Sequence, residues 1–421
     1  MSTLPDRPFI RLDTIFAAVR TLKPVVLQTP LQHSSLYSER YEANILFKRE
    51  DLQVVRSYKL RGAYNKMASL STEVLQKGIV CASAGNHAQG VAWSCNRMKV
   101  HGAIYMPSTT PMQKVQMVEF FGREYVTVIL GGDTFDAAYE YAIANSIAEG
   151  KAFIHPFDDP HIVAGQATVG VEIFNQSEIP PDYLLLPIGG GGLAAGVSSY
   201  FRHVSPATKI IGVEPAGAAA MKISIEKGAN TTLPEIDKFV DGAAVRRVGD
   251  LTFQICEKNL DAVITVPEGR VCTVMLQLYN EAAIVAEPAG ALSIAALAYL
   301  RDEIRGKTVV CVLSGGNNDI TRTGEIRERS MVHEGLKHYF IIRFVQRAGA
   351  LKEFVNDILG PTDDIVRFEF MQKTNRETGP ALVGLELKSP KDFPVLVRKL
   401  QERNINYEYL NDKPDLLQYL V

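Results

Sequence analysis

Val309-Val310-Cys311-Val312-Leu313 has no polar position. A strand with one wet face alternates apolar and polar residues, so a run like this one is covered on both faces. That requirement is met by a parallel sheet with helices packed on each side. The rest of the chain repeats the theme. Strands are predicted at 45–48, Ile79–Ala82, Gly102–Met106, Val126–Leu130, 153–155, 184–188, 210–213, 263–266 and 309–313. A short helix is predicted over Leu12–Leu22, and helices fill most gaps between the strands. Such alternation specifies an α/β fold with a mainly parallel sheet. At 421 residues the chain is too long for one core, so two or three domains are expected.

The pattern changes near residue 325. Arg327-Glu328-Arg329-Ser330-Met331-Val332-His333-Glu334-Gly335 is charged and ends in glycine, which predicts a linker over 326–338. Beyond it come a strand at 339–345 and a helix face of Leu351, Phe354, Val355, Ile358 and Leu359. A hairpin of 365–371 and 382–387 is joined through the turn-rich 374–380. A helix at 393–401 and a strand at 405–410 close the chain. The order βαββαβ predicts a small α+β, ferredoxin-like domain over 339–421.

Composition removes several functions. With 46% hydrophobic and 22% charged residues and a net charge of -2, nothing points to a nucleic-acid or anionic-membrane surface. Met1-Ser2-Thr3-Leu4-Pro5-Asp6-Arg7 lacks the apolar core of a signal peptide, and no apolar stretch is long enough to span a bilayer. Five cysteines are scattered without CxxC or Cys/His spacing, which argues against a zinc site or disulfide framework. A cytoplasmic enzyme with no metal fits this profile.

Four stretches carry chemistry. Ser57-Tyr58-Lys59-Leu60-Arg61-Gly62-Ala63 places one lysine between a hydroxyl and a glycine at a predicted helix start, where N–H groups face an anion. Taken alone, Lys59 is an ordinary solvated lysine; beside the other three it reads as an amine that forms a Schiff base with a carbonyl cofactor. Ala82-Ser83-Ala84-Gly85-Asn86-His87 follows a strand and opens a helix, so Ser83 and the next N–H groups suit a carboxylate, and Asn86 a phenolate oxygen. A well-capped helix start reads equally well, and His87 reads as a packing or hydrogen-bonding residue. Pro187-Ile188-Gly189-Gly190-Gly191-Gly192-Leu193 leaves several N–H groups free to converge on one phosphate, where a helix begins near Ala194. Leu313-Ser314-Gly315-Gly316-Asn317-Asn318 offers the Ser314 hydroxyl to a heterocycle nitrogen. A neutral hydroxyl there leaves that nitrogen largely unprotonated and favours elimination over transamination.

Glycine-rich turns after strands also bind dinucleotides, and Glu214 ends the following strand about 20 residues on, where a ribose-binding acid sits. The glycine spacing fits that fingerprint poorly and leaves Lys59 unused. A catalytically silent amino-acid sensor is the other open class.

The four stretches, in this order, resemble the fold-type II pyridoxal-phosphate enzymes, whose tryptophan synthase β-like core has two subdomains. Among them the chain is similar to the biosynthetic threonine dehydratases (threonine ammonia-lyases) of the short form, with one ACT-like regulatory domain. The resemblance covers nearly the whole chain. It implies a catalytic domain over 1–325, with a smaller subdomain at about 50–155. It implies that Lys59 carries pyridoxal 5'-phosphate, that Gly189, Gly190, Gly191, Gly192 and Leu193 hold the phosphate, Asn86 the ring oxygen and Ser314 the ring nitrogen. Ser83, Ala84, Gly85 and Asn86 then hold the substrate carboxylate. The implied reaction converts L-threonine to 2-oxobutanoate and ammonia, the first step of isoleucine biosynthesis. Serine/threonine dehydration of the catabolic type is the runner-up. Serine racemases of this fold carry a second serine where Ala84 stands, and a metal-binding Asp where Ala220 stands beside Glu214. A methyl group cannot shuttle protons, so dehydration is expected over racemisation. The resemblance further implies isoleucine inhibition through the C-terminal domain, with valine as an activator, an effector loop at Arg347-Ala348-Gly349-Ala350-Leu351, and a homo-oligomer, dimer or tetramer.

Overall fold

In this computed structural model, residues 10–371, 377–413 and 416 are described. Met1 to Arg7 and residues 374–376 of the hairpin turn expected at 374–380 lie outside them. The chain divides into two units, Met1–Asp319 and Ile320–Val421.

The first unit holds two sheets. Strands β1 (Leu31–His33) and β2 (Asn44–Arg49) come first, then β3 (Ile79–Ala82), β4 (Gly102–Met106), β5 (Val126–Leu130) and β6 (Ala152–Phe153). The series ends with β7 (Tyr183–Pro187), β8 (Lys209–Pro215), β9 (Ala262–Val266) and β10 (Thr308–Leu313). One sheet has the order β1-β2-β10-β7-β8-β9, and only β1 runs antiparallel. The other has the order β5-β4-β3-β6 and is wholly parallel. All of β7 is buried, as is all of β10 after Thr308, in keeping with their uninterrupted apolar sequence. Leu184, Leu186, Val310 and Val312 form one core with Val163 and Ala167 of the helix Pro160–Gln176 and Leu193 and Phe201 of the helix Gly192–Val204. Ile79, Cys81 and Ile104 form a second core with Val91, Cys95 and Val115.

Each sheet has a switch point. In the smaller sheet the chain proceeds β3, β4, β5 in one direction and returns with β6 on the other side of β3. In the larger it proceeds β7, β8, β9 and returns with β10 on the other side of β7. Crevices at the carboxyl ends of such strands are where open α/β sheets bind ligands. The residues that follow β3, β6, β7 and β10 therefore face prospective sites.

The helix Lys59–Ala68 is fixed from behind by a buried ionic cluster. Arg61 Nε and Nη2 each donate at 2.8 Å to Glu50, and Nη1 donates to Glu172 at 2.7 Å and Thr168 at 3.1 Å. Lys48 Nζ donates to the same Glu172 carboxylate and to the Thr29 carbonyl, both at 2.6 Å. Arg61, Glu50 and Lys48 are fully buried. The charges are tolerated there because nearly every donor finds an oxygen.

The second unit begins with a helix, Thr323–His333, which corrects the linker expected over 326–338. Its charges are paired: Arg329 with Glu325 one turn away at 3.0 Å, and Tyr339 Oη with Glu328 at 2.6 Å. Ile326 and Ser330 supply a buried face at helical spacing. Strand β11 (Lys337–Val345) then starts two residues before its predicted position. After it come a helical turn Ala350–Glu353, a π-helix Phe354–Ile358, β12 (Asp364–Phe370), β13 (Thr378–Glu386), the helix Asp392–Glu402 and β14 (Tyr407–Tyr409). The antiparallel sheet order β12-β13-β11-β14 is the ferredoxin-like one. Phe354, Ile358, Leu396 and Leu400 pack on Phe340, Ile342 and Val383. Leu351 and Val355, predicted on the same buried face, are exposed. The π-helix winds more loosely than an α-helix, so the apolar set does not hold one stripe.

Candidate active site

Lys59 is the first residue of its helix, and its N–H donates to Ser57 Oγ at 3.2 Å. Ser57 forms an isolated antiparallel bridge with Gly315, and the Tyr58 N–H donates to the Ser314 carbonyl at 3.2 Å. These contacts set the lysine segment beside the loop after β10. Gly90 sets it beside the helix Asn86–Met98, because a Cβ at Gly90 would lie 3.2 Å from Leu60 Cα and 3.3 Å from the Lys59 carbonyl carbon. Lys59 Nζ donates to the Pro156 carbonyl at 3.0 Å, in the segment after β6. Burial pushes the amine down to about 8, and the Glu287 carboxylate opposes that shift. An amine that loses its proton near neutral pH is a nucleophile and a base.

The glycines after β7 form a backbone cup. Gly191 has φ +93° and caps the helix Gly192–Val204, which starts two residues before its predicted position. No side chain fits along this turn. A Cβ at Gly190 would lie 2.2 Å from the Phe157 ring, one at Gly191 2.8 Å from Thr252 Oγ1, and one at Gly189 2.9 Å from Ala243 Cα. A helix N-terminus approached by bare peptide suits a phosphate. Pro156 holds the lysine amine, and its neighbour Phe157 lies under the glycines, so the cup and the amine share one site.

Asn86 opens the helix after β3. Its Nδ2 donates to Glu287 Oε1 at 2.6 Å, and its Oδ1 accepts from Asn317 Nδ2 at 2.7 Å. Asn317 Nδ2 also reaches the Val55 carbonyl at 2.9 Å. Burial pushes the Glu287 carboxyl up to about 7, and Asp241 adds to the effect. The second Nδ2 hydrogen of Asn86 remains available to a ring oxygen. Ser83 Oγ accepts from the Gly85 N–H at 3.2 Å, and a Cβ at Gly85 would meet nothing within 4 Å, so this loop borders open space. Ser314 Oγ donates to the Ala289 carbonyl at 3.3 Å. The segments around Lys59, Asn86 and Ser314 thus touch one another directly, and the glycine turn is joined to them through Pro156 and Phe157.

Sequence reasoning missed Glu287, Pro156, Phe157, Asp158 and Thr252. None belongs to a local motif, and each enters the site through a contact distant along the chain. His87 is a hydrogen-bonding residue: its Nε2 donates to the Ile154 carbonyl at 2.8 Å, and burial next to Lys59 pushes the ring down to about 3. Glu214 does not fit a ribose-binding role. Its two oxygens accept from the Met221 and Lys222 N–H groups at 2.7 and 2.9 Å, which caps a helix with a buried carboxylate. No group of metal-ligating side chains occurs among the described residues, and none of their helices is long and apolar enough to cross a membrane.

Residues 22–315 match the family described as pyridoxal-phosphate dependent enzyme, and residues 328–420 match the C-terminal regulatory domain of threonine dehydratase. The chain is similar to the biosynthetic L-threonine dehydratase of Halalkalibacterium halodurans, 56% identical over 412 residues, 98% of this chain and 99% of that protein. Its counterpart in Bacillus subtilis is 54% identical over 418 residues, 99% of each chain. Among solved structures, the processed form of threonine deaminase isoform 2 from Solanum lycopersicum matches with a TM-score of 0.72 at 38% identity, over 78% of this chain and 96% of that one. A serine racemase from Dictyostelium discoideum matches with a TM-score of 0.68 at 31% identity, over 73% of this chain and 99% of that one.

Proposed function

Because the chain belongs to the pyridoxal-phosphate-dependent enzymes, and within them to the biosynthetic threonine dehydratases with a C-terminal regulatory domain, we propose that it converts L-threonine to 2-oxobutanoate and ammonia, with Lys59 as the cofactor-bearing and catalytic residue. The observation that carries this reading is the Lys59 amine, whose proton is loosened by burial and which is linked through residues 156 and 157 to a cup of bare peptide. Pyridoxal 5'-phosphate, when bound, supplies a carbonyl for that amine and an electron sink for the α-carbon. Gly189, Gly190, Gly191, Gly192 and Leu193 hold its phosphate, Asn86 its ring oxygen and Ser314 its ring nitrogen.

The chain's own groups do the rest. The N–H groups of the 83–86 loop hold the threonine carboxylate in the open space beside Gly85. Lys59 Nζ accepts the α-proton. The β-hydroxyl takes up one proton and leaves as water, and addition of water to the remaining enamine then releases ammonia and the keto acid. Ala84 offers no hydroxyl to return a proton to the opposite face, which favours dehydration over racemisation. The C-terminal unit responds to isoleucine, with valine as the opposing effector and 347–351 as the effector loop. The enzyme works in the cytoplasm as a homo-oligomer.

Borohydride reduction followed by peptide mapping should find the cofactor on Lys59, and Lys59→Ala should abolish both the coloured adduct and keto-acid release from threonine. An active Lys59→Ala enzyme refutes the assignment. Removing the chain after Gly335 should leave turnover and remove the isoleucine response; retained inhibition refutes the regulatory reading.

A further inference from the structure

Residues 154–158, which follow β6 at the switch point of the smaller sheet, touch the helix Asn86–Met98, the Lys59 amine and the glycine turn. The Ile154 carbonyl accepts from His87, next to Asn86. His155 Nδ1 accepts from the Phe157 and Asp158 N–H groups at 3.2 and 2.7 Å, which folds the segment into a tight turn. The Pro156 carbonyl accepts from Lys59 Nζ. The Phe157 ring fills the space where a side chain at Gly190 would stand, and its Cβ lies 3.2 Å from where a Cβ at Gly192 would be. Asp158 Oδ1 accepts from the Leu251 and Thr252 N–H groups at 3.0 and 3.2 Å, and Oδ2 accepts from Asp250 N–H at 3.0 Å, so it caps the helix Asp250–Asn259. Thr252 Oγ1 then donates back to the Gly190 carbonyl at 2.6 Å.

The contacts close a circuit: Phe157 beneath Gly190, Asp158 to Thr252, and Thr252 to Gly190. A tetraglycine turn is the most deformable backbone available, and its N–H groups converge only if something outside the turn fixes them. We propose that Phe157, Asp158 and Thr252 are positioning residues that hold the glycine turn in its phosphate-binding shape, and that this segment, not the glycines alone, sets affinity for the cofactor's phosphate. The inference rests on reading the turn as the phosphate site. It assigns a role to three side chains that lie outside the four chemistry-bearing stretches of the sequence.

The test separates phosphate from carbonyl recognition. Full-length Phe157→Leu, Asp158→Ala and Thr252→Val proteins are resolved of cofactor and titrated with pyridoxal 5'-phosphate or with pyridoxal, reading the absorbance of the lysine adduct. Each variant should weaken pyridoxal 5'-phosphate by about tenfold or more, the scale of one lost hydrogen bond or packing contact. Affinity for pyridoxal, which has no phosphate, should stay within about threefold. Unchanged affinity for both ligands, or an equal loss for both, overturns the proposal. Should Phe157→Leu or Asp158→Ala fail to fold, the near-isosteric Thr252→Val decides by the same criterion. A wild-type protein that forms no adduct with either ligand refutes the cofactor assignment, a result distinct from failure of the positioning role.

Discussion

Gly191 and Gly349 carry the same backbone instruction and sit in opposite surroundings. Each holds a left-handed conformation, φ +93° and φ +85°, directly before a helical turn. At Gly191 an added Cβ would strike Thr252 and Met221, while at Gly349 it would meet nothing within 4 Å. Arg347, beside Gly349, is exposed and paired with Glu353 at 2.7 Å. Glycine in a sequence therefore announces a conformation, and the neighbours decide whether that conformation is also a site. The turn after β7 is enclosed by 154–158 and by the helix Asp250–Asn259, whereas the loop after β11 is open as it stands.

The contrast is sharpest for substitutions that add one methyl group. Gly190→Ala should lose the cofactor altogether, because the new Cβ falls 2.2 Å from the Phe157 ring. Absorbance of the purified protein checks this, and a normally coloured Gly190→Ala enzyme would dissolve the distinction between the enclosed turn after β7 and the open loop after β11. Next in size is the ionic cluster behind Lys59. Arg61→Ala leaves Glu50 buried without its partner and should cost about 3–5 kcal/mol in urea unfolding of the first unit. A smaller effect comes from pH. The folded-state pKa of Lys59, about 8, lies below its ordinary 10.5, so between those values the unfolded chain binds more protons and stability of the cofactor-free protein rises with pH. Lys59→Met should flatten that rise by about 1–3 kcal/mol, measured as the difference in denaturant midpoints at pH 8 and pH 10. Gly349→Ala should show the least, about 1 kcal/mol for the left-handed backbone alone, with unchanged turnover. If it also removes the isoleucine response, the open loop is a site after all.

Much of this was legible in the residues. The lysine at a helix start, the glycine turn and the serine after β10 are local patterns, and local patterns survive reading one residue at a time. Strands buried on both faces, such as β7 and β10, were found to within a residue because no polar residue interrupts them. From sequence alone the helix Thr323–His333 reads as a linker, because its charges look solvated until Glu325 and Glu328 find their partners. Phe157, Asp158, Thr252 and Glu287 left no signal, since their work depends on which loop lies across from them. Asp158 looks like any turn aspartate until the N-terminus of the helix Asp250–Asn259 is set beside it.

Arg61 lies two residues beyond Lys59 and is gripped by carboxylates from two separate elements, Glu50 after β2 and Glu172 on the helix Pro160–Gln176. The grip works like a keyway on a shaft. Were the helix to slip or turn by one residue, a guanidinium would stand bare in the interior, so the reactive nitrogen is indexed from behind before any ligand arrives. Drift in this lineage should accordingly be freer on the outer side of that shaft, at Ala68 and Ser69, than at its key.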